Sequence, residues 1–190
     1  MVSKSRTAGS QSVRIIGGKW RRRRLEVPAG GTVRPTPDRV RETLFNWLGP
    51  AIAGRSCLDL FAGTGALGFE AASRGAREVV MIERDRHMWS RLNDACGLLG
   101  ASEVEVVNAN ALAWLDTNQR RFDIVFADPP FDSDLLRLTC ERLSSASALA
   151  PEALIYLESR QPVDADGLPD GWVLHKSGKA GQVRYHLASC

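Results

Sequence analysis

No apolar run in this chain approaches the roughly 18 residues that a membrane-crossing helix requires, which argues against a helical span. Residues 1–12 are polar and small, with only Val2 and Ala8 as apolar breaks. They lack the apolar middle of a secretory leader and read as a disordered tail. Cysteine is sparse. Cys57, Cys96, Cys140 and Cys190 stand far apart with no Cys-x-x-Cys pair. Neither a zinc site nor a disulfide framework is suggested, so no metal is expected, and reduced thiols in a cytoplasmic setting are the default. No internal repeat is visible. What remains is a chain of 190 residues, 44% hydrophobic and 25% charged, sized for one domain with a full core.

The net charge of +3 hides an asymmetry. Residues 1–50 carry eleven Lys and Arg against three acids, whereas residues 51–190 carry fourteen against nineteen. The excess of positive charge is therefore an N-terminal feature on a mildly acidic body. A segregated basic segment is the electrostatic footprint of a polyanion partner. Here Arg21-Arg22-Arg23-Arg24 follows Lys19-Trp20. An arginine run beside an aromatic residue suits phosphate contact combined with base stacking. A solvated arm without a partner is the alternative.

Along the chain, residues 13–33 read as a small β unit, with strands at 13–16 and 25–27 and glycine turns. Pro37 and Asp38 then start a helix, with Val40, Leu44, Phe45, Trp47 and Leu48 at helical spacing. From residue 55 strands and helices alternate. Strands are expected at 56–60, 78–82, 104–107, 122–127 and 153–157. Helices are expected at 66–73, 86–99, 109–115 and 134–143. Segments 172–176 and 183–187 suggest a closing antiparallel hairpin. Such alternation implies a mostly parallel sheet covered on both faces, with ligands beyond the carboxyl ends of its strands.

The first of these strands ends in Asp59-Leu60-Phe61-Ala62-Gly63-Thr64-Gly65-Ala66-Leu67-Gly68. Gly63, Gly65 and Gly68 match G-x-G-x-x-G, which fits a nicotinamide enzyme as well as a methyltransferase. Asp59 leans toward the latter. A carboxylate before the loop repels a pyrophosphate but suits the ammonium of a methionine tail. Glu83, about 20 residues on, suits ribose hydroxyls in either class. Asn110 can reach an adenine edge or serve as a helix N-cap, and the two are compatible.

The fourth strand ends in Asp128-Pro129-Pro130-Phe131. Consecutive prolines make a rigid turn without N–H donors, leaving the Pro129 carbonyl to accept. An exocyclic amine on a base is a poor nucleophile because its lone pair is delocalised into the ring. Accepting its two N–H bonds at Asp128 and the Pro129 carbonyl fixes the nitrogen and aims the lone pair. Phe131 offers a face on which the base stacks, worth about 1–3 kcal/mol. Methylation at a base carbon, which needs a cysteine nucleophile, finds none here. The base has to be flipped or looped out. A strand-ending turn that happens to carry an acid is the bland alternative.

Together these residues resemble the bacterial 16S rRNA guanine-N2 methyltransferases of the RsmD type, from about Arg14 to Leu187. The narrow motifs are Arg14-Ile15-Ile16-Gly17-Gly18-Lys19-Trp20 and Arg34-Pro35-Thr36-Pro37-Asp38-Arg39-Val40-Arg41-Glu42. The glycine loop and the Asp128 patch are shared more widely. The resemblance implies a class I, Rossmann-like S-adenosylmethionine methyltransferase fold, with a mostly parallel seven-stranded sheet, helices on both faces and a small N-terminal β extension. It implies S-adenosylmethionine as donor, with Asp59, Phe61, Gly63, Thr64, Gly65, Glu83, Arg84, Asn110, Ala111 and Thr36 around it. It implies the 16S rRNA guanine conventionally numbered 966 as target, in a 30S particle. RNA contact is expected from Lys19, Trp20, Arg21, Arg22, Arg23, Arg24, Arg34 and Arg39 in a monomer, with residues 13–33 as the arm and 34–190 as the methyltransferase domain. The dense arginine run and the residues before Val13 depart from the family pattern. An amino-methyltransferase of DNA, a non-catalytic nucleic-acid-binding module and a nicotinamide oxidoreductase remain the competing readings.

Overall fold

The computed structural model describes residues 11–27, 36–131, 134–163 and 167–190. The chain opens with a hairpin, β1 (Gln11–Arg14) and β2 (Arg24–Val27), followed by α1 (Asp38–Leu48) and a short 3-10 turn at Gly49–Ile52. Five parallel strands follow: β3 (Ser56–Asp59), β4 (Glu78–Glu83), β5 (Val104–Asn108), β6 (Phe122–Ala127) and β7 (Leu149–Ser159). They are joined by α2 (Ala66–Ser73), α3 (Arg86–Leu99), α4 (Ala111–Thr117) and α5 (Leu135–Ser145). The antiparallel strands β8 (Val173–Ala180) and β9 (Val183–Ser189) close the sheet in the order β5-β4-β3-β6-β7-β9-β8. The order reverses at β3 and β6, and the crevice above their carboxyl ends is where such sheets bind ligands.

Alternation along each strand divides the core in two. Cys57, Val79, Met81, Ile124 and Phe126 face the side of α1, α2 and α3. Leu58, Val80, Ile82, Val125 and Ala127 face α4 and α5. Every residue of α2 is buried. Its run of Ala, Gly and Ser keeps that helix thin enough to lie between the sheet and the N-terminal hairpin. Among the described residues no helix is long and apolar enough to cross a membrane.

The hairpin differs from the expected arm. It begins at Gln11, inside the segment read as a tail, and its apolar residues Val13, Ile15 and Leu25 belong to the main core. A buried ion network holds it there. Glu70 on α2 is fully buried and accepts from the backbone N–H groups of Ile16 (2.7 Å) and Gly17 (2.8 Å). It also accepts from Arg74 Nε at 2.6 Å. Arg41 on α1, equally buried, lies 3.7 Å from Glu70 and donates to the carbonyls of Arg14 and Thr36 and to Asp38. Removing one partner of such a buried network costs about 3–5 kcal/mol, so the hairpin is a structural part of the domain.

Several element boundaries also moved, among them those of α4 and β7. α4 starts at Ala111 because Asn110 caps it. β7 starts at Leu149, four residues early, and runs on to Ser159. Its register slips opposite Phe122/Ile124, and Glu152 takes a left-handed φ of 60°. That irregularity disguises the first half of the strand in the sequence.

Candidate active site

The cofactor half of the site lies above β3, β4 and β5. Gly65 has φ 74°, and a Cβ there would come within 2.6 Å of Phe69 and 2.7 Å of Leu92. At Gly68 a Cβ would meet the Met81 sulfur at 2.4 Å. The left-handed φ at Gly65 calls for glycine, and the loop that runs from Leu60 to Gly65 brings backbone close to whatever sits above it. Thr64 within it is buried and Phe61 half-buried.

Two acids frame the loop. Asp59 is only 2% exposed and its Oδ2 accepts from Gly68 N–H at 3.1 Å. Burial, reinforced by the charges of Asp128 and Glu83 against the bonds from Gly68 and Phe61, pushes its carboxyl up to about 7. Glu83, at the end of β4, accepts from Gly63 N–H (2.9 Å) and Asp85 N–H (2.8 Å). The two bonds fix the carboxylate and leave each oxygen a further lone pair. Asn108 Nδ2 holds the Glu83 and Arg84 carbonyls, while the Arg84 side chain is exposed. Asn110 Oδ1 accepts from Leu112 N–H and Ala113 N–H. That oxygen is committed to the cap, which leaves Nδ2 to donate to an adenine edge. Ala111, buried, opens the helix. Fixed carboxylates, a loop with glycine at Gly63 and Gly65 and an amide donor fit the ammonium, ribose and adenine of S-adenosylmethionine.

The substrate half lies above β6 and β7. Asp128 Oδ2 accepts from Thr36 Oγ1 at 3.1 Å. Thr36, expected beside the cofactor, is thus seated against the reactive patch, held from behind by Arg41 on its carbonyl. Glu158 carries no motif by which the sequence alone would reveal it. This residue is 2% exposed near the end of β7, and its side chain hydrogen-bonds Asp128. Its Oε1 accepts from Tyr156 Oη at 2.7 Å. Burial, and then the charge of Asp128, raises the Glu158 carboxyl above its usual range. Burial raises Asp128 too, against the hydrogen bonds from Thr36 and Glu158. A buried and a half-buried acid in contact cannot both ionise readily, so the pair retains a proton. The two carboxyls share it and titrate as a pair, with Thr36 orienting Asp128. Pro129 is buried, Pro130 exposed, and the half-buried Phe131 ring lies 5.7 Å from the Arg160 guanidinium. A carboxylate held by a hydroxyl and a second acid is equipped to accept an amine N–H and then its proton.

The basic residues expected to meet RNA fall into distinct groups. Trp20 is 7% exposed, edge-on to Phe69, and its backbone N–H donates to Ser73 Oγ. It is a core residue and has no face to offer a base. Lys19 bonds Glu103 and lies over the Trp20 ring, and its N–H donates to Ser73 O. Ser73 ends α2 near Gly54 and Arg55, where β3 begins. The Gly18-Lys19-Trp20 turn therefore sits at the amino edge of the sheet, away from Asp128. Arg21, Arg22, Arg23, Arg24 and Arg39 are exposed. Arg34 lies outside the described residues.

Residues 13–189 match the family model described as Conserved hypothetical protein 95. The chain is 47% identical to the Escherichia coli (strain K12) protein named Ribosomal RNA small subunit methyltransferase D, covering 98% of this chain and 94% of that one. A solved Escherichia coli structure described as a candidate methyltransferase, yhhF, superposes with a TM-score of 0.85 at 45% identity, covering 94% of this chain and 98% of that chain. A more distant fold neighbour is the Thermus thermophilus 16S rRNA N2 G1207 methyltransferase RsmC in complex with AdoMet and guanosine. It matches with a TM-score of 0.69 at 24% identity over 95% of this chain and 50% of that one. With its class I methyltransferase fold, the chain belongs to the Conserved hypothetical protein 95 family, that of the RsmD-type small-subunit rRNA methyltransferases.

Proposed function

We propose that this protein transfers the methyl group of S-adenosylmethionine to the exocyclic N2 of a guanine in 16S rRNA, the family target numbered 966, on the small ribosomal subunit. The observation that carries the reading is Asp128, aimed by Thr36 and paired with Glu158, at the head of a Pro-Pro turn beside the cofactor half. Asp128 and the Pro129 carbonyl accept the two N–H bonds of the amine, and Phe131 carries the base. The nitrogen attacks the sulfonium methyl in line. The C–S bond breaks, its electron pair stays on sulfur as a neutral thioether, and the new N–C bond leaves nitrogen with a surplus proton. Asp128 takes that proton. Holding the two reactants at near contact accounts for much of the barrier reduction, and the step needs no metal.

Asp59, Phe61, Gly63, Thr64, Gly65, Glu83, Arg84, Asn110 and Ala111 hold the donor in this reading. The exposed arginines of residues 21–24, together with Arg34 and Arg39, meet RNA phosphates. The protein acts as a cytoplasmic monomer. The test is mass mapping of methyl groups on small-subunit rRNA from cells with and without the protein. A single N2-methylguanosine that disappears with the protein is the expected result. Methylated adenine or cytosine in DNA disappearing instead would support a DNA amino-methyltransferase.

A further inference from the structure

A second basic cluster lies at the carboxyl edge of the sheet, far along the chain from the N-terminal arginines. Across the β7-β9-β8 ribbon, Ser159 pairs with Arg184 and Arg184 with Lys179. Paired residues project from the same face. Arg160 follows directly after β7, and the Gly181-Gln182 turn joins the other two strands. Arg160, Lys179, Gly181, Gln182 and Arg184 line a concavity of about 300 Å³.

Three features make this more than a solvated strand end. Among the described residues no acid lines the concavity, and neither Lys179 nor Arg184 forms an ion pair. Like charges directly opposed across strands repel, and an anion between them relieves that repulsion. The cluster also runs against the acidic balance of residues 51–190.

Its position selects the anion. Arg160 lies two residues beyond Glu158, about 7 Å of extended chain, and Glu158 hydrogen-bonds Asp128. The Arg160 guanidinium also lies over the Phe131 ring. A nucleotide with its base at Asp128 and Phe131 carries phosphodiesters within one unit on either side. Two guanidinium forks and an ammonium are the donor set for a phosphate.

We propose that Arg160, Lys179 and Arg184 form a phosphate seat for the RNA backbone beside the nucleotide held at Asp128. This rests on the reading of the protein as an RNA methyltransferase and adds an anchor on the β7–β9 side of the patch. The seat fixes the strand while the base is out of its stack. It supplies no base specificity, because phosphate contacts carry none directly.

The test measures binding of the full-length protein to a fluorescent small-subunit rRNA fragment across a salt series. The triple variant Arg160→Gln/Lys179→Gln/Arg184→Gln should bind about tenfold more weakly at low salt. Its plot of log affinity against log salt should be shallower by roughly one. Lys179→Gln alone, at an exposed position, should move both readouts the same way by less and keeps the test decisive if the triple variant folds poorly. S-adenosylmethionine binding should be unchanged in both. Affinity and salt slope equal to wild type in both variants would overturn the seat. Methylation of the same fragment by the wild-type protein is scored in parallel. A protein that loses RNA affinity in the variants yet methylates no guanine retains the seat and contradicts the base assignment, whereas unchanged binding with intact methylation contradicts the seat alone.

Discussion

The two halves of the site hold their carboxylates by different means. Above β3 and β4, Asp59 and Glu83 are fixed by backbone N–H groups of Gly68, Gly63 and Asp85, all within about two dozen residues. Above β6 and β7, Asp128 is fixed by side chains, Thr36 from 92 positions earlier and Glu158 from the neighbouring strand. Backbone donors give a rigid cradle whose geometry survives most substitutions. Side-chain donors give a carboxylate whose charge depends on its neighbours' protonation. The first suits a site that grips a constant cofactor, and the second suits a site that handles a proton.

Substitutions should separate the halves cleanly. Asp128→Ala should lower kcat by about 10²–10⁴-fold, the range for a removed proton-handling group. Calorimetric affinity for S-adenosylmethionine should stay within about twofold. A comparable loss of donor affinity would merge the two halves. Glu83→Ala should do the reverse. Losing hydrogen bonds from a charged group, worth about 1.5–3 kcal/mol, should raise the donor Kd about 10–100-fold with a smaller change in kcat at saturation.

Glu158 sharpens the comparison through pH. Below the Asp128 titration the acceptor is protonated, so activity rises with pH along a limb displaced above the ordinary carboxylate value of ~4, because burial raises Asp128. As Glu158 in turn ionises, itself raised by burial and by Asp128, its donation is lost and a second negative charge faces Asp128. Activity should then fall. Glu158→Gln, which keeps a donor and cannot ionise, should retain activity within about tenfold and abolish the alkaline fall. A Gln variant with the wild-type profile would remove Glu158 from the mechanism. The smallest effect is expected at Asn110→Ala. Loss of the cap costs about 1 kcal/mol and lowers Tm by roughly 2–4 °C for a domain of this size, and loss of the Nδ2 donor should raise the donor Kd by only about 2–10-fold.

The same contrast explains what the sequence could tell. The glycine loop, Glu83 and the Pro-Pro turn are local patterns, with their spacing imposed by the turns themselves, and the structure brings them to one edge of the sheet as expected. Thr36, Glu158 and Arg41 act over long separations that no window reveals. Glu158 follows an apolar run, Leu154-Ile155-Tyr156-Leu157, and there it looks like the polar end of a strand. Trp20 misled in the opposite direction. An aromatic beside four arginines has the composition of a nucleic-acid contact, yet its indole completes a core against Phe69. The β7–β9 basic corner was hidden by the acidic balance of the surrounding chain, since net charge averages over residues that folding separates.

Whether the carboxylate of Asp128 directs methyl transfer to guanine N2 is decided by transfer from isotopically labelled S-adenosylmethionine to small-subunit rRNA in vitro, read by nuclease digestion and mass spectrometry. Label is expected in N2-methylguanosine at one position with the wild-type protein, with a loss of at least about a hundredfold in initial rate for Asp128→Ala. Label in another base, or an Asp128→Ala protein that methylates guanine at the wild-type rate, would contradict that role of Asp128.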